Sequence, residues 1–225
     1  MKSEDAGLID LTLALGPDLP VWPGTPGFSL EWTKRLGRGD SSNDSRLSLG
    51  SHMGTHLDAP LHVLPGGLSA EVVDLDAFLG PAQVVHLPGL REVAARDLEP
   101  LLAPGVRRLL VKTDNSRLWD GPPRPFATDF TALTQDAAEL LVRAGVRLVG
   151  VDYLSVQRFG SRDATHAVLL GAGVAVLEGL DLRRAEPGIH ELLCLPMKVA
   201  GAEAVPVRAV LRPLPGPAPR EEAHD

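Results

Sequence analysis

The 225-residue chain holds a single cysteine, Cys194 in "ELLCLPMK". One thiol excludes a disulfide within the chain and removes every cysteine-based zinc site. Its apolar flanks read as a buried core position. Basic residues are outnumbered: 22 Lys and Arg against 29 Asp and Glu give a formal charge of −7. With no basic stripe to replace counterions, nucleic-acid binding is not expected. No run approaches the ~18 apolar residues of a membrane span. The opening "MKSEDAGLIDLTL" also lacks the apolar core of a signal peptide. The expectation is a cytoplasmic protein without membrane contact. A G-x-S-x-G elbow is missing too, so no Ser-His-acid reading competes. No internal repeat and no linker-like stretch divides the chain.

What is abundant is punctuation. Twenty prolines and 23 glycines are spread throughout, which suits many short elements joined by turns. "LIDLTLAL" and "FSLEWTKRL" read as strands, and "AQVVHLPGL" as a strand buried on both faces. "AARDLEPLLAPG" and "TQDAAELLVRAG" have helical spacing and stop at Gly or Pro; the second starts behind Thr134 as an N-cap. Each is followed by an apolar strand, "RRLLVKTD" and "VRLVGVDYLS". "ATHAVLLGAG" with "VAVLEGLDL" repeats the theme, and "HELLCLPMKVAG" and "VPVRAVLRPL" close the chain as strands. Helix followed by buried strand indicates α/β units. The expectation is one α/β domain over residues 1–214 with strands in excess, then a disordered tail over 215–225 that lacks apolar anchors.

The histidines are unevenly placed. Of seven in the chain, three (His52, His56 and His62) fall with Asp58 in "SHMGTHLDAPLHVL", residues 51–64. Gly54 and Pro60 argue against a helix that would stack them. On a straight strand His52 and His56 would stand ~13 Å apart at ~3.3 Å per residue, too far to share an ion. A chain that bends at Gly54 would converge the imidazoles, because glycine allows both a tight turn and a close approach. Imidazole and carboxylate are ligands of zinc or manganese, and a satisfied polar cluster is the alternative. The second half of such a centre has two candidates in "THAVLLGAGVAVLEGL", His166 and Glu178. A carboxylate at the end of a buried strand is costly unless paired or metal-bound, although either residue alone could be structural or solvated.

These residues carry a resemblance. "SHMGTHLDAPLH" is similar, at every defined position, to the H-x-G-T-H-x-D-x-P-x-H signature of the cyclase family, whose members include kynurenine formamidases and isatin hydrolases. "PVWPGTP" resembles the family's P-x-W-P-G segment, "HAVLLGAGVAVLEGLDL" its H-x-x-L-L-x-x-G…x-E-G-L segment, and "ELLCLPMKVAGAEAVPVRAVL" its closing strands. The resemblance implies a swivelling β/β/α fold of mixed sheets, assembled as a homodimer or homotetramer. It also implies a metal-dependent hydrolase that cleaves a C–N amide bond with metal-activated water. Carried over residue by residue, His52, His56 and Asp58 would bind a first divalent ion. Asp58, His166 and Glu178 would bind a second, with Asp58 bridging. Zinc is the expected metal and manganese the alternative. His62 would be the general acid/base, with a ring whose ordinary pKa of about 6.5 suits proton transfer. Trp22 would line the pocket against an aromatic ring. The implied substrate is a small aromatic or cyclic amide such as an N-formyl arylamine. Two departures bear on that substrate: Thr25 stands where the family often has Asp, and "DYLSVQRFGSRDATH" differs from the D-T-P-S-V-D wording of kynurenine formamidases. The rival readings are a cyclase or dehydratase acting on a non-amide, and a metal-binding protein without catalysis. His62, which no metal need hold, favours an enzyme.

Overall fold

A computed structural model describes residues 7–214; the expected tail at 215–225 lies outside the described residues. Among the described residues the strands are β1 (Ile9–Asp10), β2 (Ser29–Lys34), β3 (Asp44–Ser48), β4 (His56–Asp58), β5 (Leu79–His86), β6 (Glu92–Val93), β7 (Arg108–Lys112), β8 (Ala132–Leu133), β9 (Leu148–Val151), β10 (Ala175–Glu178), β11 (Gly188–Pro196) and β12 (Ala204–Pro213). The α-helices are α1 (Ala95–Leu98), α2 (Gln135–Arg143) and α3 (Thr165–Gly171).

The main sheet runs β1-β12-β11-β5-β7-β9-β10-β4, and β4 pairs back onto β12. That last pairing closes seven strands into a barrel-like ring. The β5-β7-β9-β10 run is parallel, and the remaining neighbours are antiparallel. Strand period two sorts the buried side chains between two cores. Val84, Leu110, Leu148 and Leu177 point into the ring, where they meet Leu57, Leu192, Val205 and Leu211. Their sequence neighbours Val85, Leu109, Val111, Val149 and Val176 point outward and are covered by Leu98, Ala137, Leu141, Leu169 and Leu170 of the helices. This is why the parallel strands read as unbroken apolar runs: both of their faces are dry. The fold is the mixed α/β class expected, rich in short strands.

Three elements differ from the sequence reading, each for a local reason. The strand expected over "LIDLTLAL" narrows to Ile9–Asp10, paired with Leu211 and Val210, plus a bridge from Thr12 to Leu180. Beyond it the backbone turns to the site, where the Leu13 N–H donates to Thr55 Oγ1 at 2.9 Å. The helix expected over "AARDLEPLLAPG" lasts four residues, because Pro100 removes a donor and the chain tightens into a 3₁₀ turn, Glu99–Leu101. Thr134 does stand at the N-cap of α2, but its hydroxyl donates to Val93 O at 3.2 Å and to Asp136 rather than accepting from the helix. Away from the ring, β2 and β3 form a separate two-stranded ribbon.

The ring's closure depends on a close approach of two glycines. Gly54 (φ +67°) turns the chain into β4, and Gly179 (φ +67°) turns it out of β10. A Cβ on Gly179 would stand 2.1 Å from the Gly54 carbonyl oxygen, closer than atoms can come. Gly179→Ala therefore combines a left-handed backbone with a backbone clash and should destabilise by about 3 kcal/mol or more. Gly145→Ala is the control. Its φ is +76° but nothing lies within 4 Å of the added carbon, so only the left-handed term of about 1–2 kcal/mol applies. Urea unfolding of both variants checks the difference; equal losses would contradict the clash.

Candidate active site

β4 is three residues long and paired on both edges, with Glu178 opposite His56 on β10 and Ala204 opposite Asp58 on β12. His56 and Asp58, two apart, share one face of β4, and Glu178, directly across from His56, joins them. The motif residues between the histidines hold this strand in place. Thr55 Oγ1 donates to Gly179 O at 2.6 Å and accepts from Leu13 N, while Thr55 O accepts from Val207 N at 3.0 Å. Pro60, with its fixed φ, begins the 3₁₀ turn Pro60–His62 that brings His62 back over the strand's end. His166 arrives from the first turn of α3.

The side chains singled out in the sequence converge. His52 Nδ1 lies 2.9 Å from Asp58 Oδ1, and His56 Nε2 lies 3.4 Å from the same oxygen. His166 Nε2 is 3.4 Å from Asp58 Oδ2 and 3.0 Å from Glu178 Oε1, and His56 Nε2 is 3.4 Å from Glu178 Oε2. The His62 ring is centred 4.3 Å from that of His52 and 5.5 Å from that of His166. His56, Asp58 and Glu178 are buried, whereas His52 and His166 are partly accessible from the cavity. Two triplets can offer an ion three ligand atoms within 4.8 Å of one another: His52–His56–Asp58 and Asp58–His62–His166. The second includes His62 where the sequence reading used Glu178, so the geometry alone leaves His62 within reach of an ion.

Two buried acids in the same domain are surrounded in different ways. Asp152, at the end of β9, accepts hydrogen bonds from the main-chain N–H and hydroxyl of both Thr113 and Ser116 and from Asn115 Nδ2. Burial pushes its pKa up, and those donors act against the push. It is a satisfied structural carboxylate, and nothing in the sequence reading marked it. Asp58 is equally buried, yet neither of its oxygens has a hydrogen-bond partner, nor does His56 Nε2. The imidazoles crowd around Asp58 without aligning to donate to it. Buried polar atoms left in that state are costly, and a divalent cation among them would satisfy all three at once. The donor set of imidazole nitrogen and carboxylate oxygen suits such an ion.

Each imidazole is held from behind. His56 Nδ1 lies 3.0 Å from Gly54 O, an acceptor only, so Nδ1 carries the proton and Nε2 is left facing the carboxylates. His166 Nδ1 lies 3.4 Å from Gln157 Oε1, which also accepts from the His166 N–H. Gln157 is a functional residue the sequence reading missed, since nothing local distinguishes it.

Above this floor lies a cavity of about 470 Å³, lined by Trp22, His52, His62, Val63, Leu154 and Gln157 among others. Trp22 is where the sequence placed it. Its ring rests 5.1 Å from those of both Phe126 and Phe159, so it packs and lines the cavity together. Thr25 closes the turn beneath it, donating from both N (3.0 Å) and Oγ1 (2.7 Å) to Trp22 O. An ionised Asp there could not make the second bond. The other departure, "DYLSVQRFGSRDATH", supplies Leu154, Ser155, Gln157, Arg158, Gly160 and Ser161 to the cavity wall.

Charge follows from the packing. Burial works against a charged His56 and a charged His166, but the negative charge of the adjacent Asp58 and Glu178 outweighs it and pushes each imidazole up to about 10. The same histidines overcome burial to hold Asp58 well below the usual carboxylate range and Glu178 at about 2. His62 moves the other way. Partial loss of water around it, with His52 and His166 nearby, lowers its pKa against the pull of Asp58.

The "Putative cyclase" family model matches residues 9–158. Kynurenine formamidase of Salinibacter ruber (strain DSM 13855 / M31) is 38% identical over 213 residues, spanning 93% of this chain and 99% of the relative. The structure of a potential metal-dependent hydrolase with cyclase activity superposes with a TM-score of 0.79 at 30% identity, over 93% of this chain and 98% of the other. Isatin hydrolase A from Labrenzia aggregata, bound to benzyl benzoate, shares the fold with a TM-score of 0.75 at 24% identity, over 92% and 93% of the two chains. The chain belongs to the cyclase family, and it is a hydrolase.

The electrostatics predict how a metal enters. With only protons to neutralise the two carboxylates, His56 and His166 are charged below about 10, so an ion must displace protons to bind. Affinity should rise with pH and fall on acidification. Calorimetric titration of metal-free protein in buffers of different ionisation enthalpy should show proton release. An affinity independent of pH would contradict this.

Proposed function

We propose that the protein hydrolyses the C–N bond of a small aromatic or cyclic amide, such as an N-formyl arylamine, at a divalent-metal centre. The observation that carries the reading is the trio of unpartnered buried atoms, His56 Nε2 and both Asp58 oxygens, at the floor of a cavity with an aromatic wall. A relative that is a kynurenine formamidase, at 38% identity over nearly the full length, supports the same substrate class.

His52, His56 and Asp58 would hold one ion, and Asp58, His166 and Glu178 would hold a second. Zinc suits this donor set, with manganese the alternative. Bound there, a divalent cation supplies charge that polarises the amide carbonyl and makes a water molecule far more acidic. The chain's own groups do the rest. Trp22, braced by Phe126 and Phe159, gives an aromatic substrate a flat surface. Val63 and Leu154 add apolar surface above the floor. His62 is lowered in pKa and so is neutral near pH 7. A ring nitrogen can take a proton from the attacking water and return it to the leaving nitrogen. Without that return, an amine anion would have to depart.

Turnover of N-formylkynurenine, isatin and simple cyclic imides, measured beside metal content, tests the reading; metal-bound protein inert on every amide would overturn it. Two substitutions then separate the roles. His62→Ala should keep its metal and thermal stability while losing ~100- to 10,000-fold in turnover, the usual contribution of a general acid/base. Asp58→Asn keeps the shape but removes the charge, and should lose metal and turnover together. A metal-free His62→Ala protein would instead make His62 a ligand in the Asp58–His62–His166 triplet.

Trp22 gives an independent check on the substrate class. Trp22→Ala should raise KM for aromatic amides by about 10-fold or more, the effect of about 1.4 kcal/mol of lost stacking and burial, with metal content unchanged. Equal use of aromatic substrates by both proteins would remove Trp22 from substrate binding.

A further inference from the structure

The partner of His52 differs in kind from those of the other imidazoles. His56 is backed by a main-chain carbonyl and His166 by a side-chain amide. Behind His52 stands a carboxylate: His52 Nε2 lies 3.4 Å from Glu203 Oε1, while Nδ1 faces Asp58. Glu203 is not free to wander. Its Oε1 accepts a 2.6 Å hydrogen bond from Ser51 Oγ, and its main-chain oxygen accepts from Ala59 N at 2.9 Å. Both contacts are made at the seam where β12 meets β4, one residue before Ala204 pairs with Asp58. Closing the ring is what carries an acid from the far end of the chain to the back of a histidine near its beginning.

We propose that Glu203 is a positioning residue for the metal centre: it accepts a hydrogen bond from the protonated Nε2 of His52, fixes that tautomer, and leaves Nδ1 to face the ion beside Asp58. Ser51 holds Glu203 in the rotamer that does this. The inference rests on the metal-centre reading of the proposed function. A carboxylate acceptor makes an imidazole a stronger donor than an amide or carbonyl does, because negative charge behind the ring raises its basicity. His52 is the most loosely enclosed of the three, with a side chain 25% exposed against 0% for His56, so it needs orienting most.

The test is zinc affinity of the metal-free protein, measured by competition with a chromogenic chelator, with folding followed by circular dichroism. Glu203→Gln keeps the length and the bond to Ser51 and removes only the charge. It should weaken zinc binding about 10- to 100-fold, the range for such outer partners. Glu203→Asp should recover part of the loss and stands in should the glutamine variant fold poorly. In a His52→Ala background, Glu203→Gln should add nothing, because its effect runs through that ring. The nitrogen-attached proton of His52 should be seen on Nε2 in the wild type by NMR and lose its downfield shift in Glu203→Gln. Wild-type affinity in Glu203→Gln, or the same loss persisting without His52, would overturn the proposal while leaving the metal centre intact. A wild-type protein that binds no zinc or manganese would overturn both.

Discussion

Asp58 and Glu178 are two carboxylates of like charge, both buried, on neighbouring strands of one sheet. Dehydrating either costs several kcal/mol, and each makes the other harder to ionise. A fold keeps such a pair only if positive charge is brought to it. Here that charge is the imidazoles of His56, from β4 itself, and His166, from α3, while His52 approaches from the loop before β4. The domain solves the same problem differently at Asp152, where hydroxyl and amide donors suffice. Neutral donors would have been the cheaper solution at Asp58 as well. Surrounding it instead with ring nitrogens that do not align to donate makes sense if a cation completes the set.

That requirement explains the scaffold. A three-residue strand is too short to be rigid alone, and β4 gains its rigidity by pairing on both edges, with β10 and β12. Ligands mounted on a doubly paired strand are placed more precisely than ligands on a loop. The two glycines permit the approach that such pairing needs, and the Thr55 hydroxyl bonds across the junction they create. The signature H-x-G-T-H-x-D-x-P-x-H is thus a description of one joint. Its one acid and its imidazoles face the centre, while its Gly, Thr and Pro hold the angle between a loop, a strand and a 3₁₀ turn.

Such local content is what a sequence displays. The bend at Gly54, the apolar runs of β7 and β9, and the approach of His52, His56, Asp58, His166 and Glu178 could all be read before the fold was seen. The pairing of β4 with β12 could not, since it joins segments far apart in the chain and leaves no periodic trace. Gln157 and Glu203 were missed for the same reason. Their meaning lies in which histidine stands in front of them, and only the closed ring decides that. The length of α1 differs for a local reason: Pro100 ends the helix that the apolar spacing around it would continue.

The cavity is built in two parts with different anchors. Its floor belongs to β4, β10 and α3. Much of its wall belongs to Trp22 and to the segment after β9, where the sequence departs from the kynurenine formamidase pattern. The wall has its own support: Tyr153, buried, accepts from Ala127 N through its hydroxyl and packs against Phe126 and Phe130, and Phe126 in turn braces Trp22. Wall residues can therefore change without disturbing the histidine–carboxylate cluster of the floor. The separation is incomplete at one point. Gln157 lines the cavity and also accepts from the ring and main chain of His166. A change there would alter the cavity's lining and the orientation of His166 together, so at Gln157 the wall and the floor of the site are one property of the fold.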